Sequence, residues 1–197
     1  MKWSFAYLVF ALSPLLAAEP LREGDIVFSG SPAGQGRAIM NATGSPHSHC
    51  GVVFVEDGKE MVLEAVQPVG VIALADFKAR AKPGTFMGCR LKAPLSPENL
   101  RAARSWAEAQ IGKDYDPRFL WGDDRLYCSE LVWKIYHHAG VELCEPRRFK
   151  DYRLDDPAVQ KLVNERFGGA ANLPKNEKVV APSDLAASPL LEKIPSP

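Results

Sequence analysis

The stretch Leu126-Tyr127-Cys128-Ser129-Glu130-Leu131-Val132 sets a cysteine at the point where an apolar-striped helix begins. From Cys128 the apolar positions Val132, Ile135 and Ala139 recur, flanked by Leu131 and Tyr136. That is the 3.6-residue period of a helix with one buried stripe, and Cys128 lies on the stripe. Gly140 marks the expected stop. A helix start favours a thiolate, because its first N–H groups are unpaired. It does not suffice alone. Lowering a thiol pKa from about 8.5 to about 4 takes roughly 6 kcal/mol, whereas a helix terminus supplies at most about 2 kcal/mol. A nucleophilic Cys128 therefore requires a cation, in practice an imidazolium, against the same stripe. The plainer expectation for a lone cysteine is a small packed side chain.

The histidine comes from the strongest strand signal. His49 to Val55 and Glu60 to Val66 are rich in β-branched residues and flank Asp57-Gly58, a tight hairpin turn. With those two as the loop, Val55 pairs with Glu60, Val53 with Val62, Gly51 with Glu64, and His49 with Val66. His49 and Glu64 become diagonal neighbours on one face, about 7–8 Å apart at the backbone. Gly51, opposite Glu64, leaves room beside it. A loop one residue different in length would turn Glu64 to the other face. Stacking the Cys128 helix on the His49 face of this hairpin gives a Cys–His–acid arrangement, in which Cys128 attacks, His49 moves the proton and Glu64 orients the imidazole. Cys50 points to the face opposite His49, as core or as a bridge to Cys89.

Elsewhere the chain reads as a strand at Glu23 to Phe28, a Gly/Ser/Pro loop from Gly30 to Gly36, a brief helix at Arg37 to Met40, and a loop to Ser48. Strands are expected at Gly70–Leu74 and Thr85–Leu91. Ser96-Pro97 opens a helix to about Ile111, and Asp156-Pro157 opens one to about Phe167. Lys178 to Ala181 reads as a last strand before a short helix near Leu185. Strand-rich and helix-rich stretches are segregated, which argues for an α+β fold.

Composition is ordinary for a globular chain: 197 residues, 46% hydrophobic, 24% charged and a net charge of zero. Arg147-Arg148-Phe149-Lys150 is the one basic cluster, which argues against nucleic acid as a partner. Residues 1–18 read as a secretory signal peptide, with Lys2, an apolar run and Ala17-Ala18. Leu16 stands where cleavage prefers a small residue, so an uncleaved anchor is the alternative. The expectation is one domain over residues 19–197 in a periplasmic or secreted location, without stable membrane insertion if the signal is cleaved. The four cysteines are Cys50, Cys89, Cys128 and Cys144, and a free Cys128 leaves enough for one bridge. No cofactor or metal is implied: a zinc site from His47, His49 and Glu64 lacks a ligand motif. His137 and His138 fall at the far end of the helix.

Ser48-His49-Cys50-Gly51-Val52-Val53, Glu64-Ala65 and Tyr127-Cys128-Ser129-Glu130-Leu131-Val132 resemble the YiiX/YebB-type group, permuted members of the NlpC-like branch of papain-fold cysteine hydrolases. Gly24-Asp25-Ile26-Val27-Phe28, the segment 156–168 and Ala181-Pro182-Ser183-Asp184-Leu185 are similar too. The His-before-Cys order is that of the permuted group. The resemblance implies a papain-like fold, with an antiparallel sheet packed against the helix that carries the nucleophile. It implies Cys128 as nucleophile, His49 as base, Glu64 as orienting residue and Tyr115 at the oxyanion site. Cys-Ser-Glu replaces the Cys-Ser-Gly of the standard NlpC pattern. The expected activity is a cysteine peptidase or amidase acting on cell-wall peptides, including peptidoglycan fragments, or on small peptide-like molecules. A lipid acyl hydrolase or acyltransferase is the second reading, marked by an apolar wall from Phe77, Phe86 and Phe119. A non-catalytic periplasmic binding module is the third.

Overall fold

A computed structural model describes residues 19–195, so the proposed signal segment lies outside the described residues. The strands are β1 (Ile26–Ser29), β2 (His49–Glu56), β3 (Lys59–Glu64), β4 (Gly70–Ala73), β5 (Met87–Leu91), β6 (Asp114–Tyr115), β7 (Arg125–Leu126), β8 (Arg147–Arg148), β9 (Lys178–Val179) and β10 (Leu191–Lys193). The α-helices are α1 (Gly34–Thr43), α2 (Leu74–Arg80), α3 (Pro97–Glu108), α4 (Cys128–His138), α5 (Pro157–Phe167) and α6 (Pro182–Ala186). The main sheet is antiparallel, in the order β10-β5-β1-β2-β3-β4. This is an α+β fold.

The hairpin register is the expected one. Val55 pairs with Glu60, Val53 with Val62 and Gly51 with Glu64. Asp57 and Gly58 both take positive φ, as a two-residue turn of matching twist demands. The ladder stops at Glu64, so the expected His49–Val66 pair does not form. Gly51 is obligatory here, since a Cβ would meet a Val62 methyl at 2.6 Å and the Leu63 carbonyl oxygen at 2.8 Å. The helix caps follow their sequence cues. Ser96 accepts from the Asn99 N–H at 3.1 Å, and Asp156 accepts from the Ala158 N–H at 2.8 Å. Helix α2 and the short strands β6, β7 and β8 were not expected, and two further elements differ. The brief helix is the longer α1, ended by Gly44 in the left-handed region, and β10 continues the chain past α6 to pair with β5.

Both faces of the sheet are covered, and this overturns the expected stacking. Cys50, Val52 and Phe54 of β2 share one core with Ile26, Phe28, Leu63 and the α4 residues Cys128, Leu131, Val132 and Ile135. Fully burying Leu131 or Ile135 stabilises the fold by roughly 1.5–3 kcal/mol each. Val27, Val53 and Val62, on the other face, pack with Leu74 and Phe77 of α2. His49 has the parity of Val53 and stacks on the Phe77 ring, centroids 5.6 Å apart. Helix α4 therefore lies on the Cys50 face, not on the His49 face. A strand buried on both sides carries no alternation to reveal which face takes which helix.

Candidate active site

The site forms at the end of the hairpin rather than across its face. β3 ends at Glu64, and Gly51 opposite it has no side chain. The first turn of α4 reaches this end from one face while His49 reaches it from the other. Two bonds pin the start of α4: Ser129 Oγ donates to the Val180 carbonyl at 2.7 Å, and the Val180 N–H donates to the Tyr127 hydroxyl at 3.2 Å. Tyr127 offers no side-chain cap, which leaves the first-turn N–H groups free to favour negative charge near Cys128.

His49 Nε2 lies 2.6 Å from Glu64 Oε2, so Nδ1 is the nitrogen left for the sulfur. The other carboxylate oxygen, Oε1, accepts from Arg80 Nη2 at 2.5 Å. Burial would push Glu64 upward, but His49 and Arg80 outweigh it and hold the carboxyl below its ordinary range. Burial likewise opposes a charged His49, yet the Cys128 sulfur and Glu64 overcome it and raise the imidazole to about 9. Cys128 is held well below an ordinary thiol, first by a hydrogen bond from Cys50, then, against burial, by the charge and hydrogen bond of His49. Both shifts favour a thiolate–imidazolium pair. The cation required by the helix-terminus arithmetic is present.

Tyr115 is placed by the short parallel pairing of β6 with β7, in which it sits opposite Leu126. Its backbone N–H donates to Gln67 Oε1 at 2.7 Å, and its hydroxyl accepts from Gln35 Nε2 at 2.7 Å. Burial and the nearby Cys128 sulfur push its ionisation upward, so the hydroxyl keeps its proton and is free to donate it. Gln35 is in turn held by Arg166 Nη2 at 2.6 Å. Tyr127, the neighbour of Cys128 in sequence, is occupied at Val180.

Of the residues singled out in the sequence, Cys128, His49, Glu64 and Tyr115 converge. His47 does not join them; it packs against Phe28. His137 and His138 lie at the far end of α4, stacked on Trp133 and Trp106. Phe77 and Phe86 pack together behind His49, away from Phe119, so the three phenylalanines do not form one wall. All four cysteines are free, so the Cys50–Cys89 bridge does not form. Arg80, Gln35, Arg166 and Cys50 escaped the sequence reading. Arg80 ends α2, a helix that the sequence reading did not expect. Gln35 sat in a stretch read as loop, and Cys50 was read as core or as a bridge to Cys89.

A family model described as the permuted papain-like amidase enzyme, YaeF/YiiX, C92 family, matches residues 20–195. YiiX of Escherichia coli K12 is 37% identical over 182 residues, which covers 92% of this chain and 89% of that protein. The crystal structure of YiiX from Escherichia coli O157:H7 superposes with a TM-score of 0.83 at 37% identity, covering 89% of this chain and 97% of that one. That structure is described as a metalloprotein. Among the described residues here, no group of three or more His, Cys, Asp or Glu side chains could hold a metal ion. Both Glu64 oxygens are already taken by His49 and Arg80. The donor set does not fit a metal centre.

Proposed function

The chain belongs to the C92 family of permuted papain-like amidases and is a papain-like cysteine peptidase or amidase; on that premise we propose that it cleaves amide bonds of cell-wall peptides or small peptide-like molecules, with Cys128 as nucleophile. The observation that carries this reading is the line from Cys128 through His49 to Glu64. The Cys128 thiolate attacks the carbonyl carbon. N–H groups at the start of α4 and the Tyr115 hydroxyl receive the oxyanion. The His49 imidazolium protonates the leaving amine, and a thioester remains on Cys128. His49, now neutral, takes a proton from water, whose oxygen attacks the thioester and releases the acid. Glu64 holds the imidazole ring in register throughout. The cell-wall assignment rests on the expectation that residues 1–18 are an export signal.

The test is hydrolysis of labelled peptidoglycan fragments, with alkylation of the thiol by iodoacetamide read alongside. Cys128→Ala should abolish both turnover and the fast-reacting thiol. Unchanged labelling in that variant would sink the nucleophile assignment. Because His49 must be protonated to serve the leaving group, turnover should fall as pH rises through about 9.

One observation favours the acyl-ester reading as a second. Ile39, Phe119, Phe149, Leu162, Phe167 and Leu173 line an apolar cavity of about 90 Å³ between α1 and α5. Phe119 meets both Tyr115 and Tyr127 edge-on, which joins this cavity to the wall of the site. Ester and thioester lipids assayed beside the peptides separate the two readings: faster turnover of the lipids would replace the peptide substrate class.

A further inference from the structure

His49 and Cys50 are consecutive on β2, so strand alternation sends their side chains to opposite faces. Both nonetheless meet the Cys128 sulfur, because that sulfur sits at the end of the ladder rather than over either face. The last paired residue of β2 against β3 is Gly51. Cys50, one position beyond it and on the α4 face, shares the core of Cys128, and hydrogen bonds from its thiol and backbone N–H help to hold the Cys128 thiol low. The two cysteines share one buried core with Ile26, Phe28 and Leu131, and both are free.

We propose that Cys50 is a positioning residue for the nucleophile, its S–H and backbone N–H donating to the Cys128 thiolate from the face opposite His49. This rests on the reading of Cys128 as the nucleophile. The thiolate then has donors on two sides, with the imidazolium on one and Cys50 on the other. The Cys50 donors hold the thiolate in place until it attacks the carbonyl carbon. A cysteine suits the position because its thiol packs as a small hydrophobe and still carries a weak donor. Burial, followed by the proximity of Cys128, pushes the Cys50 thiol well above its ordinary value, so it stays protonated and keeps a proton to donate.

The experiment is the pH dependence of iodoacetamide alkylation at Cys128, followed site by site by mass spectrometry on the full chain under reducing conditions. Cys50→Ala should move the alkylation midpoint up by about one pH unit, the worth of one hydrogen bond to a charged group. Cys50→Ser, which restores a donor, should stay within about half a pH unit of the parent. The acid limb of kcat/KM should move with the midpoint. If Cys50→Ala does not fold, Cys50→Val, close in volume and without a donor, takes its place. An unchanged midpoint in the donor-free variant overturns the proposal, as does a Cys50→Ser midpoint displaced as far as that of Cys50→Ala, which would be packing alone. The two levels separate cleanly. If the acid-reactive thiol of the parent is not Cys128, the nucleophile reading falls and this one with it. If it is Cys128 and the Cys50 variants leave it unmoved, only the role of Cys50 falls.

Discussion

Glu64 and Glu130 are both 0% exposed, and both lie within a turn or a strand pair of the proposed nucleophile, yet the fold moves their acidities in opposite directions. Glu64 sits at the end of the hairpin with a cation on each oxygen, His49 on Oε2 and Arg80 on Oε1. Glu130 sits on the flank of α4, two residues after Cys128. Its Oε1 accepts from the Gly122 N–H at 3.0 Å and lies 2.9 Å from Lys134 Nζ, while Oε2 has no hydrogen-bond partner. Lys134 is shared, since it also donates to the Gly122 carbonyl and to Asp123 Oδ1. Burial raises Glu130, and its one-sided contacts do not recover the cost, which leaves it at about 7. What decides the sign is how many partners each oxygen has, not how deeply the carboxyl is buried. The well-served glutamate is built as a permanent anion behind an imidazolium. The other is a tether for the Trp121-Gly122-Asp123 loop that titrates near neutrality.

The contrast can be broken most severely at Glu64. Glu64→Gln removes the anion behind His49 and should lower kcat/KM on the order of 10²–10⁴-fold, measured on the peptidoglycan fragment. Glu130→Gln in the same assay should change it less than about threefold, since that carboxyl touches neither the sulfur nor the imidazole. Comparable losses in the two variants would erase the functional distinction between these glutamates.

The next effect is on stability, and its sign differs between the two sites. The raised Glu130 contributes stability that is complete below its ordinary value near 4.5 and is lost as pH rises through about 7. The shift corresponds to about 3 kcal/mol. Glu64, depressed in the fold, contributes stability that is present above its ordinary value and lost as pH falls through its folded value. Denaturant unfolding of Glu130→Gln should therefore match the parent near pH 5 and exceed it near pH 8. A variant no more stable than the parent at the higher pH would remove the strain assigned to Oε2.

The smallest effect belongs to Arg80, whose side chain is 51% exposed. Solvent screens it, so Arg80→Ala should cost about 1 kcal/mol or less of stability, together with a fall in kcat/KM of at most about tenfold. The pH at which Glu64 protonates should rise toward that of an ordinary carboxyl. Nuclear magnetic resonance titration of the Glu64 carboxyl reads this directly; no displacement would leave His49 alone as the partner that matters.

Local rules made much of this legible in advance. The Asp57-Gly58 turn admits one tight loop, and period-two alternation then placed Glu64 opposite Gly51 and diagonal to His49, as the ladder shows. Ser96 and Asp156 announced α3 and α5 through capping chemistry that acts within a few residues. The length of α1 was not legible, because Gly34 and Gly36 weigh against helix and the packing of α1 on α5 overrides them. Strand β10 was missed because its three residues pair only with β5, a hundred positions earlier in the chain.

By itself, the sequence determined the hairpin register that sets Glu64 beside His49 and the helix start that carries Cys128. Each of these follows from turn geometry, alternation or helical period, whose reach is a few residues. Only the tertiary structure decided which face of the sheet α4 covers. Both faces of β2 are apolar, Cys50-Val52-Phe54 on one and Val53 on the other, so either could have taken the helix. The choice is made by the summed packing of α2, α4 and the strands, which no single segment encodes. It sets Cys128 at the end of the ladder, with His49 on one side and Cys50 on the other. It also gives Glu64 two cations while leaving Glu130 with half of one.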